Sequence, residues 1–530
     1  MSGTIPLAQY LFTRLHQLNC RSIHGVPGDF TLRALDTLPN ACVKWIGNAS
    51  EICAGYAADG YARAAALARR TRVSAPRVGA LYTTYGVGEL SAINAVAGAY
   101  AENSPLVHFV GTPSRQQWRG KQIMHHTMAD GRFHVSAEMA KQITCAQADL
   151  SCDDVGEAVD RYDRALQECV KQSKPIYVNL PCDMVTQSVP EKLLDQPLQI
   201  DRTSNDAATE DEFIDMVVKK IKYAKKPLII ADGLAYPFDL ASEVTELVRM
   251  TAIPAMCFSA GKGVVDESLP SFQGPLAAAT DYSRSTDLAL LFGPLLSDTN
   301  TAAWSAVPDP RISISFNLDN VTIGDKSQVH PVNSKALLQK LLKRLRNSTS
   351  SAATQFKKPS KPTVTISPIS KIGQDAFWSR ISSFHKPHDT LLLANGTPLI
   401  GGRDISLPSP VQVIASGIWC SIGSMLPCAQ GVAAAKRDHN IPGRTILFEG
   451  DGSFQVTCQS ISDIIRYKLD VTIFICNNRG YTYERLLHGL QAEYNDVPAW
   501  RPRYVEAARF FGAREDESTY PVFSRTMGKD

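Results

Sequence analysis

Two apolar runs in the C-terminal part of the chain, each followed by a polar turn, constrain the fold more than any other feature. The run 445–448 precedes Gly450-Asp451-Gly452, and the run 471–475 leads into Asn477-Asn478. A helical pattern spans 455–468 between them. Its apolar residues share one side: Val456, Ile461, Ile464 and Ile465. We expect a strand–loop–helix–strand unit whose two loops meet at the carboxyl ends of parallel strands.

An aspartate and an asparagine at neighbouring loop tips suit a hard cation. Mg²⁺ prefers oxygen ligands, and it takes few of them from the protein because it shares the others with phosphates. Gly450 and Gly452 let the backbone approach a diphosphate closely. Gly-Asp-Gly alone also occurs in ordinary strand-to-helix turns. Its spacing to the Asn pair, with an apolar strand before each, is far more specific and predicts a magnesium–diphosphate site.

Length and composition exclude several classes of protein. A chain of 530 residues is too long for one core, and roughly two to four domains are expected. The net charge of +3, without a dense basic block, argues against nucleic acid as a partner. No apolar run reaches the roughly 18–20 residues of a membrane span. The first 20 residues predict an amphipathic helix and no secretory signal, with apolar positions Leu7, Tyr10, Leu11, Leu15 and Leu18.

The 12 cysteines are scattered and form no C-x-x-C pair. Many lie in apolar segments, for example Cys53, Cys182 and Cys476. Buried free thiols are therefore expected, without a zinc site or a disulfide framework. This usage predicts a reducing, cytoplasmic location.

Two stretches rich in polar residues and proline, 187–210 and 347–368, look like linkers. They predict domains at 1–187, 188–360 and 361–530. Each part alternates helical patterns with continuous apolar runs: 106–110, 175–180, 227–231 and 288–292. Such runs between helices predict an α/β fold of three consecutive doubly wound parallel-sheet domains. The Ala- and Arg-rich stretch 64–80 is expected to be a surface loop whose removal leaves folding intact.

Longer motifs extend this interpretation. They are GVPGDF at 25–30, GNASEICAGYAADGYAR at 47–63, TYGVGELSAINAVAGAYAE at 84–102, HHT at 125–127 and NNRGYTYE at 477–484. Together they resemble the pyruvate decarboxylase branch of the thiamin-diphosphate-dependent enzymes, over nearly the whole chain. The resemblance implies the thiamin-diphosphate-binding fold, with a pyrimidine-binding, a middle and a diphosphate-binding domain in that order.

The resemblance also implies the reaction and its cofactors. The reaction is the non-oxidative decarboxylation of a small 2-oxo acid, first of all pyruvate to acetaldehyde and CO₂. Thiamin diphosphate accepts the electrons left when CO₂ departs, which no side chain does well. Mg²⁺ is implied to bind Asp451, Asn478 and the carbonyl of Gly480. The other implied cofactor contacts are Gly396, Thr397, Cys420, Ile422, Gly452, Ser453, Tyr481 and Thr482.

Three of these contacts have particular roles in the family. Ile422 matches the bulky residue that wedges between the two cofactor rings and enforces their bent shape. Gly396 and Thr397 match backbone contacts to the aminopyrimidine. Cys420 stands where the family usually has glycine, which leaves less room beside the carbonyl that makes the contact.

Catalytic roles follow from the same resemblance. Glu51 is implied to hydrogen-bond the pyrimidine N1′, which activates the cofactor and also makes Glu51 a cofactor contact. A polar cluster is implied to handle protons: Asp29, His125, His126 and Glu484. Read alone, Glu51 fits a solvated helix start and the two histidines fit a surface pair. In the family the N- and C-terminal groups of one site come from different subunits, which implies a homodimer or homotetramer.

Departures from the family keep alternatives open. Tyr483 replaces an aliphatic residue beside Glu484, which should shrink the pocket and favour pyruvate. Pro398 and Leu399 also differ, so aromatic substrates (phenylpyruvate or indolepyruvate) and carboligation to acyloins stay open. Stretch 64–80 is longer than the family's loop, and the family continues beyond Asp530 with a further strand and helix. A shortened, non-catalytic member acting as a subunit is therefore the alternative from another class.

Overall fold

The computed structural model describes residues 3–202, 204–324, 328–347, 373–497, 503–514 and 516–526. Three sheets of mainly parallel strands follow one another along this part of the chain and are flanked by helices. The predicted α/β fold of three consecutive parallel-sheet units is confirmed. The predicted linker 347–368 lies outside the described residues, apart from Asn347.

The first sheet is entirely parallel, with strand order β3-β2-β4-β5-β7-β6. The strands of this part are β1 Thr4–Pro6, β2 Ser22–Gly25, β3 Lys44–Gly47, β4 Gly79–Thr84, β5 Leu106–Thr112, β6 Ala146–Asp149, β7 Ile176–Pro181 and β8 Ser188–Pro190. Its helices are α1 Leu7–Gln17, α2 Leu32–Leu35, α3 Glu51–Arg63, α4 Ala65–Arg70, α5 Val87–Ala101, α6 Arg115–Arg119, α7 Val135–Ala140 and α8 Val155–Gln172. All five apolar positions predicted for the first helix region are buried.

The middle sheet has the order β11-β10-β9-β12-β13-β14-β15. Its strands are parallel except β14, which pairs antiparallel with both β13 and β15. Its strands are β9 Pro227–Ala231, β10 Ala255–Cys257, β11 Phe272–Pro275, β12 Leu288–Phe292, β13 Ser313–Phe316, β14 Asn320–Ile323 and β15 Gln328–Pro331. Its helices are α9 Ala207–Tyr223, α10 Ala241–Thr251, α11 Asp281–Arg284 and α12 Ser334–Asn347. The two central strands β9 and β12 are the apolar runs predicted at 227–231 and 288–292.

The last sheet is parallel throughout, with the order β17-β16-β18-β19. Its strands are β16 Thr390–Leu393, β17 Gln412–Ala415, β18 Thr445–Gly450 and β19 Val471–Cys476. Its helices are α13 Gln374–Ile381, α14 Thr397–Gly402, α15 Met425–His439, α16 Asp451–Thr457, α17 Ser460–Arg466, α18 Thr482–His488 and α19 Ala507–Phe510. The order of the strands reverses between β16 and β18, and such a switch point opens a crevice at the carboxyl ends of the strands.

The first and last sheets share one apolar core, because helices α3 and α15 cross at very short range. A Cβ added to Gly60 would lie 2.1 Å from the Cys428 carbonyl oxygen, and one added to Gly431 would lie 1.8 Å from that of Ala57. Only glycine permits this approach of the two backbones. The middle sheet is packed mainly around separate apolar clusters.

The predicted single helix 455–468 is wrong in its limits. Helix α16 starts at Asp451 itself and ends at Thr457, so the helical segment is interrupted before α17 begins at Ser460. The hydroxyl of Thr457 donates a hydrogen bond of 2.7 Å to the Gly423 carbonyl oxygen, and Val456 is 46% exposed. The helix end is therefore set by a tertiary contact rather than by the apolar period.

The expected surface loop 64–80 is also corrected by the structure. It begins with α4, in which residues 65–68 are buried. Gln412 accepts a hydrogen bond of 3.1 Å from the backbone N–H of Leu67. The Arg70 guanidinium donates to the carbonyl oxygens of Gly263 and Val411, at 2.8 and 3.2 Å. Helix α4 thus joins all three parts of the chain, and it shows no amphipathic period because it is covered on several sides.

Part of the predicted linker 187–210 has regular structure. Strand β8 pairs antiparallel with β1, and Val189 is fully buried in the first core. The backbone N–H of Glu191 then donates a hydrogen bond of 3.0 Å to the Gly3 carbonyl oxygen. The pairing is possible because both strands are short edge segments beside α1.

All 12 cysteines are free. Cys53 is buried, whereas Cys182 and Cys476 are half-buried. Within the part of the chain that the structure describes, no helix combines the length and the apolar character needed to cross a bilayer.

Candidate active site

The carboxylate of Asp451 holds together the two loops that follow β18 and β19. Asp451 is the first residue of α16 and is 2% exposed. Its Oδ1 accepts a hydrogen bond from the N–H of Gly452, and its Oδ2 accepts one from the N–H of Gly480, both at 3.0 Å. Burial raises the pKa of Asp451 above its usual range, and the two N–H donors act in the opposite direction.

Asn478 presents an unsatisfied oxygen beside this carboxylate. Its amide nitrogen donates to the Thr397 hydroxyl at 3.1 Å, which fixes the orientation of the amide. Its Oδ1 is buried and has no hydrogen-bond partner in the described parts of the chain. Leaving such an acceptor unpaired costs about 1–3 kcal/mol, and a bound cation would remove that cost.

The third predicted metal ligand is the carbonyl of Gly480. It accepts one hydrogen bond of 2.9 Å from the N–H of Thr482, which leaves its second lone pair available. The residue has φ +134°, and an added Cβ would lie 2.3 Å from the Asn495 carbonyl oxygen. Glycine is therefore required here, and the donor set of carboxylate, amide and carbonyl oxygens fits Mg²⁺.

Several small or turn-forming residues leave space around these oxygens. Gly396 has φ +89°, and a Cβ there would meet no atom within 4 Å, so the start of α14 faces open space. Gly452 lies against the ring of Tyr481, because an added Cβ would be 2.7 Å from it. The Ser453 hydroxyl accepts a hydrogen bond of 2.8 Å from the N–H of Gly423. The crevice at the β16–β18 switch point is thus open at Gly396, whereas the Tyr481 ring occupies the space beside Gly452.

The loop 416–423, which carries Cys420 and Ile422, is held by the first part of the chain. Buried Glu102 accepts hydrogen bonds from the Ser416 hydroxyl at 2.6 Å and from the N–H of Trp419 at 3.1 Å. Cys420 adopts φ +51°, a conformation that favours glycine. The sequence analysis did not identify Glu102 as a site residue, although Glu102 is the last residue of the motif at 84–102.

The predicted proton-handling residues of the first part lie together. The Nε2 atom of His125 lies 2.9 Å from Oδ2 of Asp29, and the ring centroids of His125 and His126 are 4.5 Å apart. All three residues are exposed. The ring of Phe30 stacks on His125 with a centroid distance of 5.4 Å. The structure therefore brings Asp29, His125 and His126 into one polar cluster.

Within the described residues, neither Glu51 nor Glu484 is hydrogen-bonded or ion-paired to that cluster. Glu51 is the half-buried first residue of α3, and its Oε1 would lie 3.2 Å from a Cβ added to Gly88. Glu484 is exposed on α18. Within the described ranges, no hydrogen bond or ion pair links Asp29 or Glu51 to Asp451. We refer to Asp29, Glu51, His125 and His126 as the N-terminal half-site and to Asp451, Asn478 and Gly480 as the C-terminal half-site; no hydrogen bond or ion pair joins the two groups in the described part of one chain.

Two residues whose side-chain polar atoms are buried, Glu449 and Asn395, were also missed. Glu449 is fully buried at the end of β18, and burial raises its pKa to about 8, with the Ser453 side chain acting in the opposite direction. Asn395 precedes Gly396, and both of its side-chain polar atoms are buried without a partner in the described ranges. The sequence signal that could have identified them is that each directly precedes a glycine of a turn at the crevice, Gly450 or Gly396.

Comparisons with known proteins agree with this geometry. Residues 5–134, 214–345 and 399–525 match the N-terminal, central and C-terminal domains of thiamine pyrophosphate enzymes. The chain is 39% identical over 525 residues to a pyruvate decarboxylase of Aspergillus parasiticus, covering 97% of this chain and 88% of the relative. It is 38% identical to a putative pyruvate decarboxylase of Schizosaccharomyces pombe (99% and 92% covered) and 35% identical to pyruvate decarboxylase isozyme 2 of Saccharomyces cerevisiae (97% and 90%).

Proposed function

The chain belongs to the pyruvate decarboxylase family of thiamin-diphosphate-dependent enzymes, and we propose that it converts pyruvate to acetaldehyde and CO₂. The observation that carries the proposal is the unsatisfied Oδ1 of Asn478 beside the buried Asp451 carboxylate, at the switch point of the last sheet. The relatives are named for pyruvate, which disfavours phenylpyruvate and indolepyruvate as the main substrates.

The C-terminal half-site would hold the cofactor. Asp451, Asn478 and the Gly480 carbonyl supply oxygens for Mg²⁺, and the open turn at Gly396 leaves room for the group that shares the metal. Thiamin diphosphate, when bound, supplies the electron sink for decarboxylation. The loop fixed by Glu102 carries Ile422, and the next residue, Gly423, donates its N–H to the Ser453 hydroxyl at 2.8 Å, which supports Ile422 as a cofactor contact. The remaining expected contacts are Thr397, Cys420, Gly452, Ser453, Tyr481 and Thr482.

The N-terminal half-site would manage protons. Glu51 would hydrogen-bond the pyrimidine N1′ of the bound cofactor and hold the proton there. His125, oriented by the contact between its Nε2 atom and Asp29, would exchange a proton through its other ring nitrogen. His126 and Glu484 complete the polar surface around the reacting carbon, and Tyr483 reduces the space available to the substrate.

A second copy of the chain would complete each site. No hydrogen bond joins the two half-sites in the described part of one chain, and the N-terminal half-site of one subunit would instead face the C-terminal half-site of another. Large apolar side chains around α18 support this arrangement, since Leu486, Leu487 and Leu490 are 70%, 69% and 65% exposed. The active unit is accordingly at least a homodimer, and a homotetramer contains two such units.

The domain limits follow the same assignment: 1–187 binds the pyrimidine, 188–360 forms the middle domain and 361–530 binds the diphosphate. The cytoplasm is the proposed location, because 12 free cysteines suit a reducing compartment.

The test is an assay of purified protein with pyruvate, Mg²⁺ and thiamin diphosphate. Acetaldehyde formation is followed by its reduction with NADH and alcohol dehydrogenase, and phenylpyruvate and indolepyruvate are compared in the same way by their CO₂ release. We expect pyruvate to give the highest kcat/KM. Protein that binds the cofactor and releases no acetaldehyde from pyruvate would contradict the proposed substrate, and release of CO₂ from an aromatic acid alone would replace it.

A further inference from the structure

The cluster of Asp29, His125 and His126 has the composition and spacing of a transition-metal site. We propose that it binds Zn²⁺ reversibly and that the bound ion inhibits decarboxylation. The inhibition rests on the proposed function, whereas the metal binding rests on geometry alone.

Each of the three residues offers one ligand atom, and these atoms all lie within 4.8 Å of one another. In tetrahedral zinc sites, bonds of about 2.0–2.2 Å place the ligand atoms roughly 3.3–3.6 Å apart. The Nε2 atom of His125 and Oδ2 of Asp29, at 2.9 Å, are already close to that separation. The ligand atom of His126 lies within 4.8 Å of both, so a bound metal ion would draw it closer. Two imidazoles and one carboxylate form a ligand set that suits zinc and other first-row transition metals.

The surrounding residues restrict the two imidazole rings. Phe30 stacks on the ring of His125, and the ring of Tyr85 lies edge-to-face against that of His126 at 5.8 Å. The Tyr85 hydroxyl also donates a hydrogen bond to the His125 carbonyl oxygen. A Cβ added to Gly86 would lie 2.0 Å from the carbonyl oxygen of His126, so the backbone of the pair is fixed against this glycine. Supporting contacts of this kind orient metal ligands and raise affinity.

The cluster differs in selectivity from the proposed Mg²⁺ site. The ligands at Asp451, Asn478 and Gly480 are all oxygens, which suit a hard cation, whereas the cluster offers two nitrogens. In the single chain the three residues are exposed, which leaves coordination positions for water beside the protein ligands. An imidazole nitrogen that is bound to zinc cannot take up a proton, so the bound ion blocks the proton-handling role of the histidines.

Binding is tested with Co²⁺ as a spectroscopic substitute, on the untagged full-length protein with Mg²⁺ in large excess. We expect a visible d–d absorption band that saturates at one ion per chain. Asp29→Asn, His125→Gln and His126→Gln should each weaken binding by at least about tenfold. His134→Gln is the matched control, because His134 packs against Trp118 outside the cluster, and it should bind Co²⁺ as the parent does.

A sulfur-to-metal charge-transfer band in the near ultraviolet would show that cysteines bind the ion and would overturn the site. Co²⁺ spectra of the three variants that equal the spectrum of the parent would also overturn it. Inhibition is tested separately, by adding Zn²⁺ to the pyruvate assay at the same Mg²⁺ excess and reversing it with a chelator selective for zinc. Co²⁺ binding at the cluster without inhibition by Zn²⁺ would refute the inhibitory role. A protein without decarboxylase activity would refute the proposed function, and the spectrum would still decide the metal site.

Discussion

Oδ2 of Asp451 accepts a hydrogen bond from the backbone N–H of Gly480 at 3.0 Å, so one carboxylate fixes the loop that carries the other two proposed metal ligands. The same carboxylate accepts the N–H of Gly452 on its own loop. A change at Asp451 should therefore disturb the geometry of the whole C-terminal half-site and not only one metal bond.

The first prediction concerns cofactor binding. Mg²⁺ and thiamin diphosphate together, at about 100 times the dissociation constant, should raise the free energy of unfolding by about 2.7 kcal/mol. Asp451→Ala should abolish this stabilisation, measured as the shift in Tm, because the metal loses its one carboxylate. Asp470→Ala, at an exposed position before β19, should keep the shift. An equal shift in the Asp451 variant would exclude it as a metal ligand.

The second prediction separates cofactor activation from cofactor binding. Glu51→Gln should leave cofactor affinity within roughly tenfold of the parent, about 1.4 kcal/mol, because the ligands of the other half-site are intact. Exchange of the C2 proton of the cofactor should slow by about 10²-fold or more, since an amide supplies a much weaker acid at N1′. Fluorescence quenching measures affinity, and NMR measures exchange. Exchange at the parent rate in the variant would refute the role of Glu51.

The third prediction concerns helix α4. Arg70→Ala should lower the free energy of unfolding by about 2 kcal/mol, because a charged donor to the Gly263 and Val411 carbonyls is lost. Arg72→Ala, at an exposed position after the helix, is the matched control and should have little effect. Deletion of 65–76 should give insoluble protein. Chemical denaturation measures the two point variants, and soluble yield measures the deletion variant. A deletion variant that is soluble and as stable as the parent would restore the surface-loop interpretation.

The fourth prediction is a pH dependence that originates at Asp232. Burial raises the pKa of this carboxyl from 3.8 to about 7, and hydrogen bonds from Asn300 and from the N–H groups of Leu295 and Gly233 act in the opposite direction. Below about pH 4 the group is neutral in the folded and the unfolded chain. Between about pH 4 and 7 the unfolded chain loses the proton while the folded chain keeps it, so stability falls by up to about 4 kcal/mol as the pH rises.

Asp232→Asn removes this titration. The stability of the variant relative to the parent should therefore improve from pH 4 to pH 7, as measured by urea denaturation at several pH values. Asp298→Asn, at an exposed position in the same part of the chain, should show no such trend. A relative stability of the Asp232 variant that is constant with pH would contradict the raised pKa.

Local sequence predicted those features that local chemistry determines. Continuous apolar runs became buried strands such as β5 and β12, and the residues that follow β18 and β19 met at one edge of the last sheet. Helix α4 was missed because a helix covered by several neighbours has no polar face to reveal a period. The burial of the Glu449 carboxyl results from the packing of α15 and β19 against β18. The sequence of β18 alone does not reveal those neighbours.

The crossing of α3 and α15 also determines the order in which the chain can fold during synthesis. The small side chains of α3 leave the ribosome early, whereas their partner surface around Gly431 is made only after the whole middle sheet. The middle sheet, with its own apolar clusters, can close first. Until α15 emerges, the N-terminal sheet carries an uncovered apolar face, and it is during this interval that a nascent chain most needs protection from aggregation.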